Sequence, residues 1–250
     1  MKIGGFVDIS TKDIPGKACM VIFTVGCNFN CNFCHNKYLL LSEAGKIYQA
    51  HEITKIVKSN KLVNSISITG GEPTLQEDLL NICKELKDLN IYISIDTNGS
   101  NPELLEKLIP FIDRVALDLK APLIEQYYRK ITNSNINIEK ILKSYQLINS
   151  SPIDFEIRTT YSEDILIPKD IEEIIRFLAE KDFKGRFVLQ QYQYSEGVGE
   201  KYKDKIKKPA HIDLLNILEP YLNKDLNFEL FLRDEVVGYS EIHMIFEKIL

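Results

Sequence analysis

Short runs of apolar and β-branched residues recur along the chain and alternate with longer segments of helical spacing. Runs of this length and composition predict strands. Residues 78–89 show the other pattern, because Leu79, Ile82, Cys83 and Leu86 recur at three- and four-residue steps and predict an amphipathic helix. Six strands are predicted, at Met20–Val25, Ser65–Thr69, Ile91–Ile95, Arg114–Leu119, Phe155–Thr160 and Arg186–Gln191, with Phe228–Leu232 as a candidate for a seventh.

The alternation of strands and helices decides the expected fold class. Strands that alternate with helices form βα units, and such units build a parallel sheet. Six units are too few for a complete eight-stranded barrel. We therefore predict an α/β fold, a partial (β/α)6 TIM-like barrel of parallel strands, rather than a doubly wound sheet. The sequence contains no repeat or linker, so residues 1–250 are expected to form one domain.

Residues with unusual chemistry follow the first four predicted strands. Three cysteines follow the first strand, and a Gly-Gly-Glu-Pro segment at 70–73 follows the second. Residues 96–99 end the third strand with Asp-Thr-Asn-Gly, and residues 118–120 end the fourth with Asp-Leu-Lys. Because functional groups of parallel α/β proteins collect at the carboxyl ends of the strands, these segments predict one site at that edge.

Cys27, Cys31 and Cys34 form a CX3CX2C pattern. Three closely spaced thiolates are soft ligands that suit an iron–sulfur cluster or zinc. Structural zinc normally takes four protein ligands, and the adjacent His35 is the plausible fourth. A non-catalytic zinc-binding module therefore stays open as an alternative. A four-iron cluster on three thiolates would leave one iron without a protein ligand, which implies chemistry at the cluster.

Charge and hydropathy limit the classes of partner. The net charge of −5 argues against a general affinity for nucleic acid. The basic run Lys201–Lys208 is interpreted as a solvated loop or helix face. No stretch approaches the roughly 20 apolar residues of a membrane helix, and the N-terminal residues lack a hydrophobic signal core, so we expect a cytoplasmic protein without a membrane partner. Cys19 and Cys83 are predicted to be core residues.

The cysteine pattern, with Phe33 directly before Cys34, resembles the signature of the radical S-adenosylmethionine (SAM) superfamily. The Gly-Gly-Glu-Pro segment resembles the loop with which that family binds the amino group of the cofactor. Residues 4–8 (GGFVD), 13–17 (DIPGK) and 34–36 (CHN) narrow the resemblance to glycyl-radical-enzyme activating enzymes. Among these, the chain is most similar to anaerobic ribonucleoside-triphosphate reductase activating proteins, with motif agreement from residue 4 to about residue 160.

The resemblance implies an anaerobic oxidoreductase with an oxygen-sensitive [4Fe–4S] cluster on Cys27, Cys31 and Cys34. The reduced cluster would cleave SAM into a 5′-deoxyadenosyl radical, which would take hydrogen from a glycine of a partner, an anaerobic ribonucleotide reductase. A low-potential donor such as flavodoxin or ferredoxin would supply the electron. The alternative within the family is a compact radical SAM enzyme that acts on a small molecule, for example in deazaguanine synthesis.

The resemblance also implies roles for residues at the strand ends. Glu72 would fix the amino group of SAM, and Lys120 and Arg158 would meet its carboxylate. For the charged residues, an internal salt-bridge network is the alternative. The family tends to carry a histidine near the end of the sixth strand, where this chain has Gln190-Gln191-Tyr192. The expected SAM-binding residues are Gly70, Gly71, Glu72, Asp96, Asn98, Lys120 and Arg158, with a monovalent cation near Asp96, Thr97 and Asp118.

Overall fold

The computed structural model describes residues 1–41, 43–198 and 205–248. These residues divide into two compact units. The first unit comprises residues 1–30, 36–117 and 139–154, and the second comprises residues 31–35, 118–138 and 155–250. The prediction of a single domain stays a prediction.

Strands and helices alternate along the chain. The strands are β1 (Lys2–Ile14), β2 (Lys17–Thr24), β3 (Lys46–Ile47), β4 (Ser65–Gly70), β5 (Tyr92–Thr97), β6 (Arg114–Asp118), β7 (Asp154–Tyr161), β8 (Arg186–Gln191), β9 (Glu229–Asp234) and β10 (Gly238–Glu241). The helices are α1 (Ala50–Ser59), α2 (Leu79–Lys87), α3 (Pro102–Leu108), α4 (Glu125–Thr132), α5 (Ile138–Asn149), α6 (Pro168–Glu180), α7 (His211–Leu218) and α8 (Ile242–Phe246).

In the first unit the strands follow the order β3-β1-β2-β4-β5-β6. The strands β2, β4, β5 and β6 are parallel, with Met20 beside Ile66 and Ile22 beside Ile68. The strand β2 is buried on both faces, since Val21 on one face and Met20 and Ile22 on the other are each at most 1% exposed. Burial on both faces explains why its sequence reads as a continuous apolar run rather than an alternating one.

The strand β1 is an element that the hydrophobic pattern did not predict. It pairs antiparallel with β2 and, over two residues, with β3. Gly4 and Gly5 lower its β propensity, and Asp8, Lys12 and Asp13 interrupt its apolar pattern. The strand β1, which is only partly buried, is thus added to the predicted parallel strands by antiparallel pairing.

In the second unit β7, β8 and β9 are parallel neighbours, and β10 pairs antiparallel with β9. The candidate seventh strand is thereby confirmed as β9. The fold class is also confirmed: the protein has an α/β fold with a mostly parallel sheet that is not closed. Cys19 and Cys83 are both 0% exposed, as predicted for core residues.

Two further expectations concern membrane-spanning helices and the basic run at 201–208. Within the part of the chain that the structure describes, no helix combines the length and the apolar character needed to cross a membrane. The predicted basic run at 201–208 falls partly outside the described residues, because its first half, 201–204, is not among them.

Candidate functional site

The cysteine segment begins three residues after β2. Sγ of Cys27, in the first unit, lies 3.3 Å from the backbone N–H of Phe29, which donates to it. Cys31 and Cys34 belong to the second unit, where the N–H of Cys34 donates to the carbonyl of Cys31 at 3.1 Å. Phe29 and Phe33 are each 4% exposed. Both aromatic side chains of the cysteine segment are therefore buried.

Gly70, the last residue of β4, and Gly71, which follows it, allow a close backbone approach to the start of this segment. A Cβ atom on Gly71 would stand 2.0 Å from the carbonyl oxygen of Gly26. Gly70 has φ +107°, and a Cβ atom there would stand 2.5 Å from the backbone nitrogen of Thr24. The N–H of Gly71 donates to Thr24 at 2.9 Å, and the N–H of Glu72 donates to Gly26 at 2.8 Å. Only glycine fits both positions without displacement, and the loop is thereby held beside the residue that precedes Cys27.

The Glu72 side chain is 1% exposed and accepts four hydrogen bonds. Oε1 accepts the N–H and the hydroxyl of Thr74 at 3.1 and 2.6 Å and the hydroxyl of Thr97 at 2.7 Å. Oε2 accepts the N–H of Asn98 at 2.7 Å. Burial raises the pKa of the Glu72 carboxyl above its ordinary value, while the hydrogen bonds from Thr74, Asn98 and Thr97 act in the opposite direction.

Asn98 lies between Glu72 and Cys27. Its Nδ2 lies 3.0 Å from Oδ1 of Asn28 and 3.8 Å from Sγ of Cys27. Asn98 is 6% exposed. The structure therefore brings three predicted site residues, Glu72, Asn98 and Cys27, into one hydrogen-bonded series.

Asp118, Lys120 and Arg158 form a second polar group, in the second unit. One carboxylate oxygen of Asp118 lies 2.7 Å from Nζ of Lys120, and the other lies 2.9 Å from Nε of Arg158. Burial opposes ionisation of Asp118, but the positive charges of Arg158 and Lys120 outweigh it and lower the pKa of the carboxyl to about 2. Burial likewise opposes the charged form of Lys120, and the Asp118 carboxylate reverses this and raises the pKa of the amine. Nζ of Lys120 also lies 5.9 Å from the ring centre of Phe33, which precedes Cys34.

Arg114 is a buried cation that the sequence analysis did not single out. It is 1% exposed, its Nη1 donates to Oγ of Ser94 at 2.7 Å, and the same nitrogen lies 3.8 Å from Asp96. The available signal was an arginine at the start of an otherwise apolar strand, where a buried charge needs a partner. Its contact with Asp96 supports the salt-bridge alternative for Asp96.

The expected monovalent cation stays a prediction. Asp118 has two cationic partners in the protein, and the hydroxyl of Thr97 donates to Glu72. In the described part of the chain, no group of three or more His, Cys, Asp or Glu side chains is arranged to hold a single metal ion. A [4Fe–4S] cluster does not require such a group, because its cysteine ligands bind separate irons.

His35 is held by residues at the end of β8 that sequence reasoning did not assign. Its ring stacks on Tyr192 with the ring centres 5.7 Å apart and the planes at 19°. Nε2 lies 2.7 Å from the carbonyl oxygen of Gln193, which can only accept, so this nitrogen carries the hydrogen. A Cβ atom on Gly197 would stand 1.8 Å from the His35 carbonyl oxygen. Because Nε2 is engaged in this way, it is not free to act as a fourth zinc ligand.

The donor chemistry fits an iron–sulfur cluster. The cysteine segment offers three thiols within eight residues, and Sγ of Cys27 receives N–H donors of the kind that stabilise charge on ligating sulfur. Residues 21–178 match the model of the Radical SAM superfamily. The chain belongs to the radical SAM superfamily. Membership implies a [4Fe–4S] cluster and SAM as cofactors, and it makes the protein a radical SAM enzyme rather than a zinc-binding module.

Proteins similar to this chain have names that indicate different functions. A protein of Methanocaldococcus jannaschii named "Putative glycyl-radical enzyme activating enzyme MJ1227" is 35% identical over 219 residues, which cover 85% of this chain and 88% of the relative. A Thermoplasma volcanium protein named "Probable GTP 3',8-cyclase" is 32% identical over 210 residues, which cover 81% of this chain and 61% of the relative.

A solved structure shares the fold. SuiB of Streptococcus suis, crystallised with S-adenosylmethionine, superposes with a TM-score of 0.69 at 23% sequence identity. The matched region covers 86% of this chain and 50% of the SuiB chain. At this identity the likeness concerns the fold alone.

Proposed function

We propose that this radical SAM enzyme is an activating enzyme that generates a glycyl radical on a partner protein, an anaerobic ribonucleoside-triphosphate reductase. The observation that carries the proposal is the similarity to the M. jannaschii relative, which extends over 88% of that protein. The cyclase relative is matched over 61% of its length. The N-terminal motifs that resemble reductase activating proteins support the choice of partner.

Cys27, Cys31 and Cys34 would hold the cluster through their thiolates. When bound, the cluster and SAM supply a one-electron cleavage that yields methionine and 5′-deoxyadenosine once a hydrogen atom has been taken from the target glycine. A low-potential donor such as flavodoxin or ferredoxin would provide the electron.

Glu72 and its glycines would receive the amino group of SAM. A carboxylate oxygen usually accepts about two hydrogen bonds. Oε1 already accepts three hydrogen bonds, whereas Oε2 accepts one. Oε2 therefore keeps acceptor capacity for an ammonium group, and the missing side chain of Gly71 lets the backbone of the loop come close to the cysteine segment.

The Asp118, Lys120 and Arg158 group would attract the carboxylate of SAM. Two cationic side chains face one carboxylate here, so the group has a net charge of +1. The lowered pKa of Asp118 and the raised pKa of Lys120 keep all three side chains charged at neutral pH. An anionic ligand would then meet a positive, preoriented site.

The proposal is tested by electron paramagnetic resonance on the partner. The anaerobically reconstituted protein is reduced and incubated with SAM and the reductase, and the sample is examined for a glycyl radical. The signal of a glycyl radical is expected to be a doublet, because the remaining α-hydrogen splits it. This splitting should collapse when the reductase contains α-deuterated glycine. The signal should be absent with Cys31→Ala. Formation of 5′-deoxyadenosine without any radical on the reductase would contradict the choice of this partner.

The similarity to the GTP cyclase favours a second candidate, a radical SAM enzyme that acts on a small molecule. The same assay separates the two candidates. Reductase should stimulate 5′-deoxyadenosine formation if the protein is an activating enzyme, whereas GTP or a related purine should do so if it is a small-molecule enzyme.

A further inference from the structure

The side-chain amide of Asn98 has one orientation in this structure. Its Oδ1 accepts the backbone N–H of Ser100 at 2.9 Å, so the Nδ2 end faces the opposite way. Nδ2 donates to Oδ1 of Asn28 at 3.0 Å, and Asn28 in turn donates to Oγ of Ser100 at 2.8 Å. A flipped amide would lose the bonds to Ser100 and Asn28. The network therefore assigns the hydrogen-bearing end of the amide to Cys27.

The N–H donors that reach Sγ of Cys27 include those of Phe29 and Asn98. The backbone N–H of Phe29 lies 3.3 Å away, and Nδ2 of Asn98 lies 3.8 Å away. Phe29 lies two residues after Cys27, so its donor belongs to the local turn, while Asn98 lies 71 residues further along the chain and reaches the sulfur from the end of β5. Asn98 is 6% exposed, so water screens the contact only weakly.

Hydrogen bonds to a ligating sulfur stabilise the more negative state of a cluster. A donor therefore raises the reduction potential of the cluster, and its loss makes the cluster harder to reduce. We propose that Asn98 is a positioning residue that sets the reduction potential of the cluster through its N–H contact with Cys27, in addition to the contact that its backbone makes with Glu72. The inference rests on the proposed function only in requiring that a cluster is bound, and it does not depend on the partner.

The test is a redox titration of the reconstituted protein, monitored by the signal of the reduced cluster. Asn98→Ala removes the side-chain donor, and we expect the ratio of reduced to oxidised cluster at a fixed potential to fall about tenfold, which for one electron is a shift of about 59 mV to lower potential. Asn98→Asp keeps the acceptor for Ser100 but brings a carboxylate to the sulfur, so its shift should be larger and in the same direction. Asn227→Ala is the matched control, since Asn227 is exposed and its amide contacts Asp182.

A second measurement reports the contact without reference to activity. Electron–nuclear double resonance of the reduced parent cluster should show the coupling of an exchangeable amide proton that disappears in Asn98→Ala. Equal potentials for the parent and both variants, with full iron content, would overturn the inference. Loss of iron from both variants would also overturn it, because Asn98 would then be needed for assembly. A parent protein that binds no cluster would instead refute the proposed function.

Discussion

Gly71 lies directly against Gly26, because a Cβ atom on Gly71 would stand 2.0 Å from the carbonyl oxygen of Gly26. The same oxygen accepts the N–H of Glu72 at 2.8 Å. The loop after β4 and the residue that precedes Cys27 are thus joined through backbone atoms, with no space for a side chain between them. The proposed ligands of SAM and of the cluster therefore depend on one narrow contact.

We expect Gly71→Ala to separate these two segments. The added methyl group meets rigid backbone, so the substitution should destabilise the protein by about 2 kcal/mol. It should also reduce both iron content and SAM binding several-fold. Gly5→Ala is the matched control, since a Cβ atom at Gly5 meets nothing within 4 Å. Iron analysis and equilibrium dialysis with labelled SAM measure the effect, and equal results for the two variants would contradict the role of the contact.

Glu72→Gln tests the hydrogen-bond arrangement around the buried carboxylate. All four current partners donate, so the amide nitrogen of glutamine would face at least one donor. We expect a loss of about 2 kcal/mol in the free energy of unfolding, measured with denaturant, together with weaker SAM binding. Glu77→Gln, at a nearby exposed position, should change neither the free energy of unfolding nor the binding of SAM. A stable Glu72→Gln protein with unchanged SAM affinity would exclude this account of Glu72.

The Asp118 group predicts a dependence of stability on acid pH. The pKa of Asp118 is about 2 in the folded protein and about 4 in the unfolded chain, so its contribution is complete above about pH 5 and is lost as the pH falls towards 2. Asp118→Asn removes this contribution and should lower the free energy of unfolding by about 2 kcal/mol near pH 6. At pH 3 the difference in free energy of unfolding between the parent and the variant should be about half as large.

Denaturant unfolding of the parent and Asp118→Asn between pH 6 and pH 3 measures this difference. Asp88→Asn, at an exposed position, serves as the control for the loss of one carboxylate. A difference between the parent and Asp118→Asn that stays constant over this range would show that the folded protein does not lower the pKa of Asp118.

The ligand assignment predicts a contrast between two cysteines. Cys31→Ala should abolish cluster assembly, because three thiolates are the minimum set in the proposed site. Cys83→Ala should assemble the cluster nearly normally, since Cys83 is 0% exposed on α2 and has only a packing role. Iron and sulfide analysis after anaerobic reconstitution measures both variants. Equal iron content in the two proteins would refute the assignment.

The sequence predicted those parts of the molecule that depend on local pattern. The parallel strands were recognised because burial on both faces produces apolar runs such as Met20–Ile22. The strand β1 was missed because it carries glycines and charges and gains its place from antiparallel pairing with β2. The cysteines and the Gly-Gly-Glu segment were found as motifs, whose residues are adjacent in the chain.

The remaining contacts of the site depend on which residues face each other across strands. Ser94 lies beside Arg114 in the β5–β6 register, and that register brings the buried guanidinium close to Asp96. The four donors to Glu72 come from two separate segments, and the partner of Asn98 is a sulfur 71 residues away. Such pairings follow from tertiary structure and leave no mark on a local pattern.

The contacts of Gln193 and Gly197 with His35 bear on the order in which parts of the protein form during its synthesis. His35 emerges from the ribosome early, next to Cys34, but Gln193, whose carbonyl its ring contacts, comes 158 residues later. The second unit therefore lacks the residues that hold His35, the neighbour of Cys34, until most of the chain has been translated. The contacts that hold His35 consequently form only after about four fifths of the chain has been translated. A cluster inserted earlier would meet a cysteine segment that lacks these contacts.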